Sequence, residues 1–220
     1  MKLEQNQLEY LFNRSKNYDK KYYMFEKLLD KINDDINTIV ELFGGVGLES
    51  FYLQNKFKNI KNHIIIEKDL NCYNILKNNL NKFPVIQTYN IDSFDFKYDN
   101  FIDLLVVDSS SFNKKIYDKI INLIKRFNYK YLIITDTGVF NVKLNKNLTY
   151  EQYWNNLKYK LANDNLYLTD VEYCNDFGLM LINTEQENSF NIHYVTKDDK
   201  SLLWRDIRNQ ILEGEYNGII

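Results

Sequence analysis

Cysteine, proline and glycine are all scarce in this chain of 220 residues, which contains two, one and seven of them respectively. Two cysteines are too few for a disulfide framework or a cysteine-ligated zinc site. Cys72 and Cys174 are therefore expected to be buried thiols in a reducing compartment. Because glycine is so rare, three glycines within four positions, at 44, 45 and 47, indicate a backbone under steric demand.

Long apolar runs and an excess of basic charge are also missing. No run approaches the eighteen or more apolar residues that a membrane span needs, and the first ten residues lack the apolar core of a signal peptide. We therefore expect a cytoplasmic protein that does not enter a membrane. The net charge of −2 and the pI of about 5.8 exclude a global basic field for nucleic acid, although a local patch could still bind it.

Histidine is limited to His63 and His193, both in strand-like runs. We expect both to lie far from the acidic residues named below, so the sequence predicts no metal site.

The apolar content is sufficient for a full core, since 45% of the residues are hydrophobic and 15% are aromatic. The length predicts one domain with modest additions. We assign residues 1–36 to an N-terminal helical extension, 37–198 to the main domain, and 199–220 to a C-terminal helix and tail. The extension carries Lys16, Lys20 and Lys21, which are expected to form a solvated helix face, with cover of a bound ligand or contact with substrate as the alternative.

Residues 37–52 read NTIVELFGGVGLESFY and organise the rest of the main domain. A short apolar run ends at Glu41-Leu42-Phe43, the three glycines follow, and a helical pattern begins at once. Glycine admits positive φ and lets another molecule approach the bare main chain. A strand, a glycine turn and a helix form the entrance to a nucleotide-type pocket, where loop amides and the helix N-terminus face the ligand.

A carboxylate follows twenty positions after Gly47, where an isoleucine run ends in Glu67. An acid at the end of the second strand is placed to accept both hydroxyls of a ribose. Dinucleotide sites usually have a third glycine, whereas this loop has Ser50 in that place. Glu41 would also add negative charge beside a pyrophosphate, while the cation and amino group of S-adenosylmethionine (SAM) suit it.

Residues 41–47 resemble motif I of class I SAM-dependent methyltransferases, in the D/E-L-F-x-G-x-G form common among enzymes that act on nucleic acids. Residues 64–80 are similar to the E-K-D stretch and following helix of the small rRNA guanine-N2 methyltransferases. The resemblance covers roughly residues 37–136. It implies SAM as cofactor, an acid after strand 3 that accepts the adenine amine, and this set of cofactor-binding residues: Glu41, Phe43, Gly44, Gly45, Gly47, Glu67, Lys68, Asp92 and Ser93. For Asp92, capping of a short helix is the alternative.

Asp108 ends the fourth predicted strand and begins the run Asp108-Ser109-Ser110-Ser111-Phe112. In amino-directed methyltransferases this place holds [N/D]-P-P-[Y/F/W], whose aromatic residue stacks on a flipped base. The resemblance makes Asp108 the catalytic candidate and Ser109 and Phe112 the substrate contacts. Both prolines are serines here, and Phe112 comes one residue late. Capping of a following helix is an equal alternative for Asp108.

The implied fold is α/β: a Rossmann-like class I methyltransferase with a mostly parallel seven-stranded sheet, a C-terminal antiparallel hairpin and helices on both faces. The implied activity is methyl transfer to a nucleic-acid base, with RNA favoured over DNA. A small molecule or protein as acceptor, and a catalytically silent subunit of this fold, stay open as alternatives. So does a protein partner or a homodimer.

Overall fold

The computed structural model describes residues 18–81, 83–108, 116–135, 148–174, 178–184, 190–196, 198–201 and 205. Its helices are α1 (Tyr18–Leu29), α2 (Leu48–Lys56), α3 (Leu70–Asn79), α4 (Tyr117–Ile124) and α5 (Tyr150–Ala162). Its strands are β1 (Thr38–Leu42), β2 (Asn62–Ile66), β3 (Ile86–Tyr89), β4 (Ile102–Val107), β5 (Tyr129–Ile134), β6 (Leu168–Tyr173), β7 (Gly178–Asn183) and β8 (Asn191–Tyr194). Strands and helices alternate along the first two thirds of these ranges, as expected for a doubly wound sheet.

The strands form one sheet in the order β3-β2-β1-β4-β5-β7-β6-β8. The first five strands in this order are parallel, and β7 runs antiparallel to both β5 and β6. The order reverses between β1 and β4, so the carboxyl ends of these two strands flank the topological switch point. In open α/β sheets this is where ligands bind.

Within the described ranges the sheet has eight strands, one more than the seven predicted. The additional strand is β8, which pairs in parallel with β6. It comes from the strand-like run at residues 190–195, whose pairing the sequence pattern leaves undefined, because a four-residue alternation carries no information about its neighbour. Residues 175–177, between β6 and β7, and most of the predicted C-terminal helix lie outside the described residues.

Helices cover both faces of the sheet and form two main apolar clusters. One cluster contains α4, α5 and the side chains of Val40, Leu105 and Leu132. The other contains α1, α2 and the side chains of Ile39 and Leu104. Trp154 is fully buried in the first of these clusters. Among the helices within the described ranges, none is long and apolar enough to cross a bilayer.

The alternation of side chains along each strand decides which polar residues meet. Successive residues of a strand point to opposite faces, so Glu41 shares a face with Ile39, which packs against α1 and α2. By the same count Asp108 and Thr135, just beyond β4 and β5, lie on that face. Three polar residues from neighbouring strands therefore lie beneath helices α1 and α2, near the switch point.

Candidate active site

The loop between β1 and α2 has the left-handed backbone that its glycines permit. Gly45 has a φ of 54° and Gly47 a φ of 86°, and Phe43 also has a positive φ of 62°. Gly44 donates its amide to the carbonyl of Ile66 at 2.9 Å, and a Cβ built on Gly44 would lie 2.3 Å from the Cγ2 atom of Ile65. The loop is thus packed directly on the end of β2, where only glycine fits.

Glu67, at the end of β2, lies beside this loop. Its Oε2 atom accepts the N–H of Gly45 at 2.8 Å, and its Oε1 atom accepts the N–H of Asp69 at 2.6 Å. Each carboxylate oxygen has two lone pairs, so the anchored carboxylate can accept two further hydrogen bonds. The two halves of the predicted pocket are therefore in direct contact, and the acid is held in a fixed orientation.

Two more contacts connect predicted cofactor residues to one another. Lys68 Nζ lies 2.7 Å from Asp92 Oδ2, and the Asp92 Oδ1 atom accepts the N–H of Phe94 at 3.0 Å. The hydrogen bond from Lys68 and the one from Phe94 both lower the pKa of Asp92. Ser93 Oγ accepts the N–H of Phe43 at 3.1 Å. These contacts join the ends of β1, β2 and β3 into one rim.

Exposed apolar side chains lie on the segments that carry these acids. Leu70 begins α3 three residues after Glu67, and Ile91 and Phe94 flank Asp92. Phe94 makes an edge contact with Phe43, with ring centroids 5.7 Å apart. An exposed apolar surface next to fixed carboxylates is typical of a ligand-binding site. Its chemistry matches a flat ring that carries polar groups at its edge.

Glu41 lies underneath the glycine loop and is fully buried. Its Oε2 atom accepts the Ser50 hydroxyl at 2.7 Å, whereas its Oε1 atom is buried without a hydrogen-bond partner among the described residues. Burial raises the pKa of Glu41 to about 8. Ser50, which replaces the third glycine of the dinucleotide pattern, thus connects the first turn of α2 to β1.

The expectation that His63 lies far from these acids is wrong. His63 Nε2 is 3.3 Å from Glu41 Oε2, and His63 Nδ1 is 2.9 Å from the Gln54 amide. Strand β2 pairs with β1 so that His63 and Glu41 point to the same face, which the linear sequence does not show. Burial lowers the pKa of His63 to about 3, so the pair consists of a neutral imidazole and a protonated carboxyl group at neutral pH. Among the residues that the structure describes, no cluster of histidine, cysteine and acidic side chains is arranged to hold a metal ion.

Lys21 is buried, contrary to the expectation of a solvated lysine face. Helix α1 places its Nζ atom 2.7 Å from Glu49 Oε1 and 3.0 Å from Asp108 Oδ1. The Thr135 hydroxyl also donates to Asp108 Oδ1. Burial, followed by the charge of Asp108, raises the pKa of Glu49 to about 7, against the opposing effect of Lys21. We call Lys21, Glu49 and Asp108 the ion cluster.

The ion cluster connects three elements that are distant in sequence. Glu49 lies in the first turn of α2 directly after the glycine loop, and Asp108 follows β4. Lys21 reaches both from the N-terminal helix, 87 residues before Asp108. Sequence patterns identified Asp108 but missed Glu49 and Thr135, because neither belongs to a local motif. Ser109 and Phe112, the predicted substrate contacts, lie outside the described residues.

No protein-family model matches this chain, and no curated protein sequence does either. Solved structures, in contrast, share its architecture. A candidate RNA methyltransferase of Pyrococcus horikoshii is 11% identical with a TM-score of 0.53, and the match covers 72% of this chain and 79% of that one. The ribosomal protein L11 methylase of Lactobacillus delbrueckii subsp. bulgaricus is 12% identical with a TM-score of 0.53, covering 74% and 77%. The chain has the Rossmann-like class I methyltransferase fold.

A third similar structure is M. capricolum TrmK in complex with S-adenosyl-homocysteine (SAH). It is 17% identical to this chain, with a TM-score of 0.50 and a match over 87% of this chain and 81% of TrmK. The specific likeness to the rRNA guanine-N2 enzymes has no counterpart among these three proteins. At such identities the likeness concerns the fold, and function has to be argued from the site.

Proposed function

We propose that this protein is a SAM-dependent methyltransferase. The observation that carries the proposal is the contact between Glu67 and the amide of Gly45. It brings an anchored carboxylate to a glycine loop with positive φ angles at the switch point of the sheet. The class I methyltransferase fold supports it.

The residues present fit this cofactor. Glu67 has free lone pairs for the two ribose hydroxyls, and Asp92 is held ionised beside Phe94 to accept the adenine amine. A Cβ built on Gly45 meets nothing within 4 Å, so the loop main chain has open space in front of it. The bound cofactor would supply an electrophilic methyl group on a sulfonium. For the other predicted cofactor residues, including Glu41, a direct contact stays a prediction, since Glu41 is buried beneath the loop.

Calorimetric titration tests this proposal. SAM is expected to bind with heat at high micromolar protein, and NAD is expected to give none. Glu67→Ala should weaken SAM binding by roughly tenfold to a hundredfold, which corresponds to about 1.5–3 kcal/mol for lost charge-assisted hydrogen bonds. A flat trace with SAM, or heat with NAD alone, would overturn the proposal.

For the acceptor we propose a nucleic-acid base, with RNA favoured over DNA. The support is the form of motif I at residues 41–47 and the place of Asp108 at the end of β4, where the chemistry of this fold is carried out. Transfer from a sulfonium requires alignment of the acceptor and a sink for its proton. Asp108 would serve as that sink or as the hydrogen-bond anchor, with Ser109 and Phe112 as substrate contacts.

The ion cluster favours a second candidate, methyl transfer to a small molecule or a protein. Glu49 and Asp108 share one lysine at the switch point, and a negative local charge repels phosphates. The engagement of Asp108 by Lys21 and Thr135 also suits a silent subunit that needs a partner chain. We propose no membrane association and a cytoplasmic location for either candidate.

Transfer of a tritiated methyl group separates these acceptors. The protein is incubated with labelled SAM and, in parallel, with total RNA, DNA, cell protein and a small-molecule extract. Label in RNA is expected. Label in protein or small molecules alone would establish the second candidate. SAM binding without transfer to any fraction would identify the silent subunit.

A further inference from the structure

The order of the strands places the residues proposed to hold the cofactor along one edge of the sheet. Asp92 follows β3, Glu67 ends β2, and the neighbouring strands in the sheet are β1 and then β4. Strands in a sheet are about 4.8 Å apart. With the adenine at Asp92 and the ribose at Glu67, the rest of the proposed cofactor would extend along this edge toward β1 and β4. Glu49 follows the loop after β1 and Asp108 follows β4, so the ion cluster lies on that side.

Among the described residues, the ion cluster has two carboxyl groups and one ammonium group. The carboxylates of Glu49 and Asp108 both lie within 3.0 Å of a single ammonium group, that of Lys21. All three side chains are largely removed from water, so their charges are weakly screened. Burial of two carboxyl groups around one ammonium group is costly, and burial together with the charge of Asp108 raises the pKa of Glu49 to about 7.

A second observation beside the cluster is a buried polar atom without a partner among the described residues. Glu41 Oε1 is buried without a hydrogen-bond partner among the described residues, and it lies 3.7 Å from a Cβ built on Gly44. The charges of Asp108 and Lys21 both act on Glu41, so it belongs to the same neighbourhood. A buried carboxyl oxygen without a partner here, under the glycine loop, is unexpected in a site that is complete without a ligand.

We propose that the ion cluster recognises the charge on the cofactor sulfur and so favours the sulfonium of SAM over the neutral thioether of SAH. Lys21 is the positioning residue, because its ammonium group holds the two carboxyl groups close together against their mutual repulsion. The N-terminal helix α1 thereby becomes part of the site. This inference rests on the proposed cofactor.

The test is the ratio of the dissociation constants for SAH and SAM, measured by calorimetry on the full chain. The two ligands differ by one methyl group and one charge, so effects on folding or general affinity cancel in the ratio. Asp108→Asn removes one negative charge without changing shape and should lower the ratio on the order of tenfold, as Coulomb's law predicts for a unit charge within about 10 Å at an effective dielectric constant of about 20. Glu49→Gln should lower it in the same direction.

Lys21→Met leaves two carboxylates without their cation and should raise the ratio. Lys21→Arg keeps the charge and should leave the ratio close to that of the unmodified protein. Lys56→Met is the matched control, because Lys56 lies on α2 but pairs with the exposed Asp30 at 2.6 Å, and it should change nothing.

The outcomes separate the inference from the proposed function. If the unmodified protein binds neither ligand, the proposed cofactor is wrong. If both ligands bind and the ratio stays within twofold in Asp108→Asn and Glu49→Gln, the inference alone is wrong. These two isosteric variants decide the question even if Lys21→Met does not fold.

Discussion

Glu67 and Gly45 are joined by a hydrogen bond of 2.8 Å between the carboxylate at the end of β2 and the amide of the glycine loop, across 22 residues of chain. The same carboxylate accepts the N–H of Asp69. One side chain therefore fixes the loop, the start of α3 and the proposed ribose contact. Substitutions here are expected to affect ligand binding and local order together.

The two roles of Glu67 can be separated by comparing Glu67→Gln with Glu67→Ala. Gln keeps one oxygen for the Gly45 amide but loses the charge, so it should retain loop order and lose about tenfold in SAM affinity. Ala should lose both the loop order and the SAM affinity. Hydrogen exchange of the loop amides would detect the loss of order, and calorimetry would detect the loss of affinity. Glu151→Gln, at an exposed position of α5, is the control. Equal protection and equal affinity in both variants would contradict a role for this contact.

Gly47→Ala should destabilise the protein more than Gly45→Ala. Both positions have a positive φ, which costs a residue with a Cβ about 1–2 kcal/mol. At Gly47 the new Cβ would also lie 2.9 Å from Leu80 Cδ1, whereas at Gly45 it meets nothing within 4 Å. Overpacking adds about 1–3 kcal/mol at Gly47.

Urea unfolding of the two variants without ligand measures this difference in the free energy of unfolding. Because the backbone term is common to both, the difference between them isolates the packing of the loop against α3. Equal destabilisation would show that the loop does not press on Leu80. SAM binding should respond in the opposite order, since a methyl group at Gly45 occupies the open space in front of the loop.

Glu41→Gln should change the pH dependence of stability. The pKa of Glu41 is raised to about 8 in the folded state, above its ordinary 4.5, so the folded protein retains a proton that the unfolded chain releases. The stability associated with this proton is fully present below about pH 4.5 and is lost as the pH rises through about 8. Gln has no such proton to lose and can still accept the Ser50 hydroxyl.

We therefore expect Glu41→Gln to be more stable than the unmodified protein at pH 9. At pH 5 this advantage in the free energy of unfolding should be much smaller. The full effect of the shift is on the order of several kcal/mol, because each pKa unit corresponds to about 1.4 kcal/mol. Melting temperatures at pH 5, 7 and 9 measure it. His63 stays neutral in the folded state over this range, because burial lowers its pKa to about 3, and Glu49 titrates in both proteins. A difference between the two proteins that does not vary with pH would contradict the buried, protonated state of Glu41.

Gly178→Ala should disturb the packing of α5 on the sheet. A Cβ at Gly178 would lie 2.7 Å from Trp154 Cζ2 and 3.0 Å from Tyr173 Cβ, in a part of the core where Trp154 is fully buried. The expected cost is about 1–3 kcal/mol of unfolding free energy. In a double-mutant cycle Trp154→Leu should relieve much of this cost, because the ring edge that causes the overlap is gone. Strict additivity of the two changes would rule out the contact.

The local patterns of the sequence determined the fold class and the meeting of Glu67 with the glycine loop. Hydrophobic alternation and helical spacing depend on the neighbours of a residue in the chain, so the strand, glycine turn and helix at residues 37–52 could be predicted, and β1 and the start of α2 lie there. The glycines at 44, 45 and 47 required an unusual backbone wherever they lay. An acid at the end of a parallel strand necessarily lies at the carboxyl edge of the sheet, which brought Glu67 to the loop.

Only the tertiary structure decided the ion cluster and the burial of Glu41. Lys21 is one of many lysines in the chain, and nothing near it in sequence distinguishes a buried cation from a solvated one. Its role arises because α1 packs over β6 and β7 and extends to the end of β4. The burial of Glu41 against His63 likewise depends on the register of β1 and β2. Contacts between distant segments are selected by the packing of the whole core, and a local pattern carries no record of that choice.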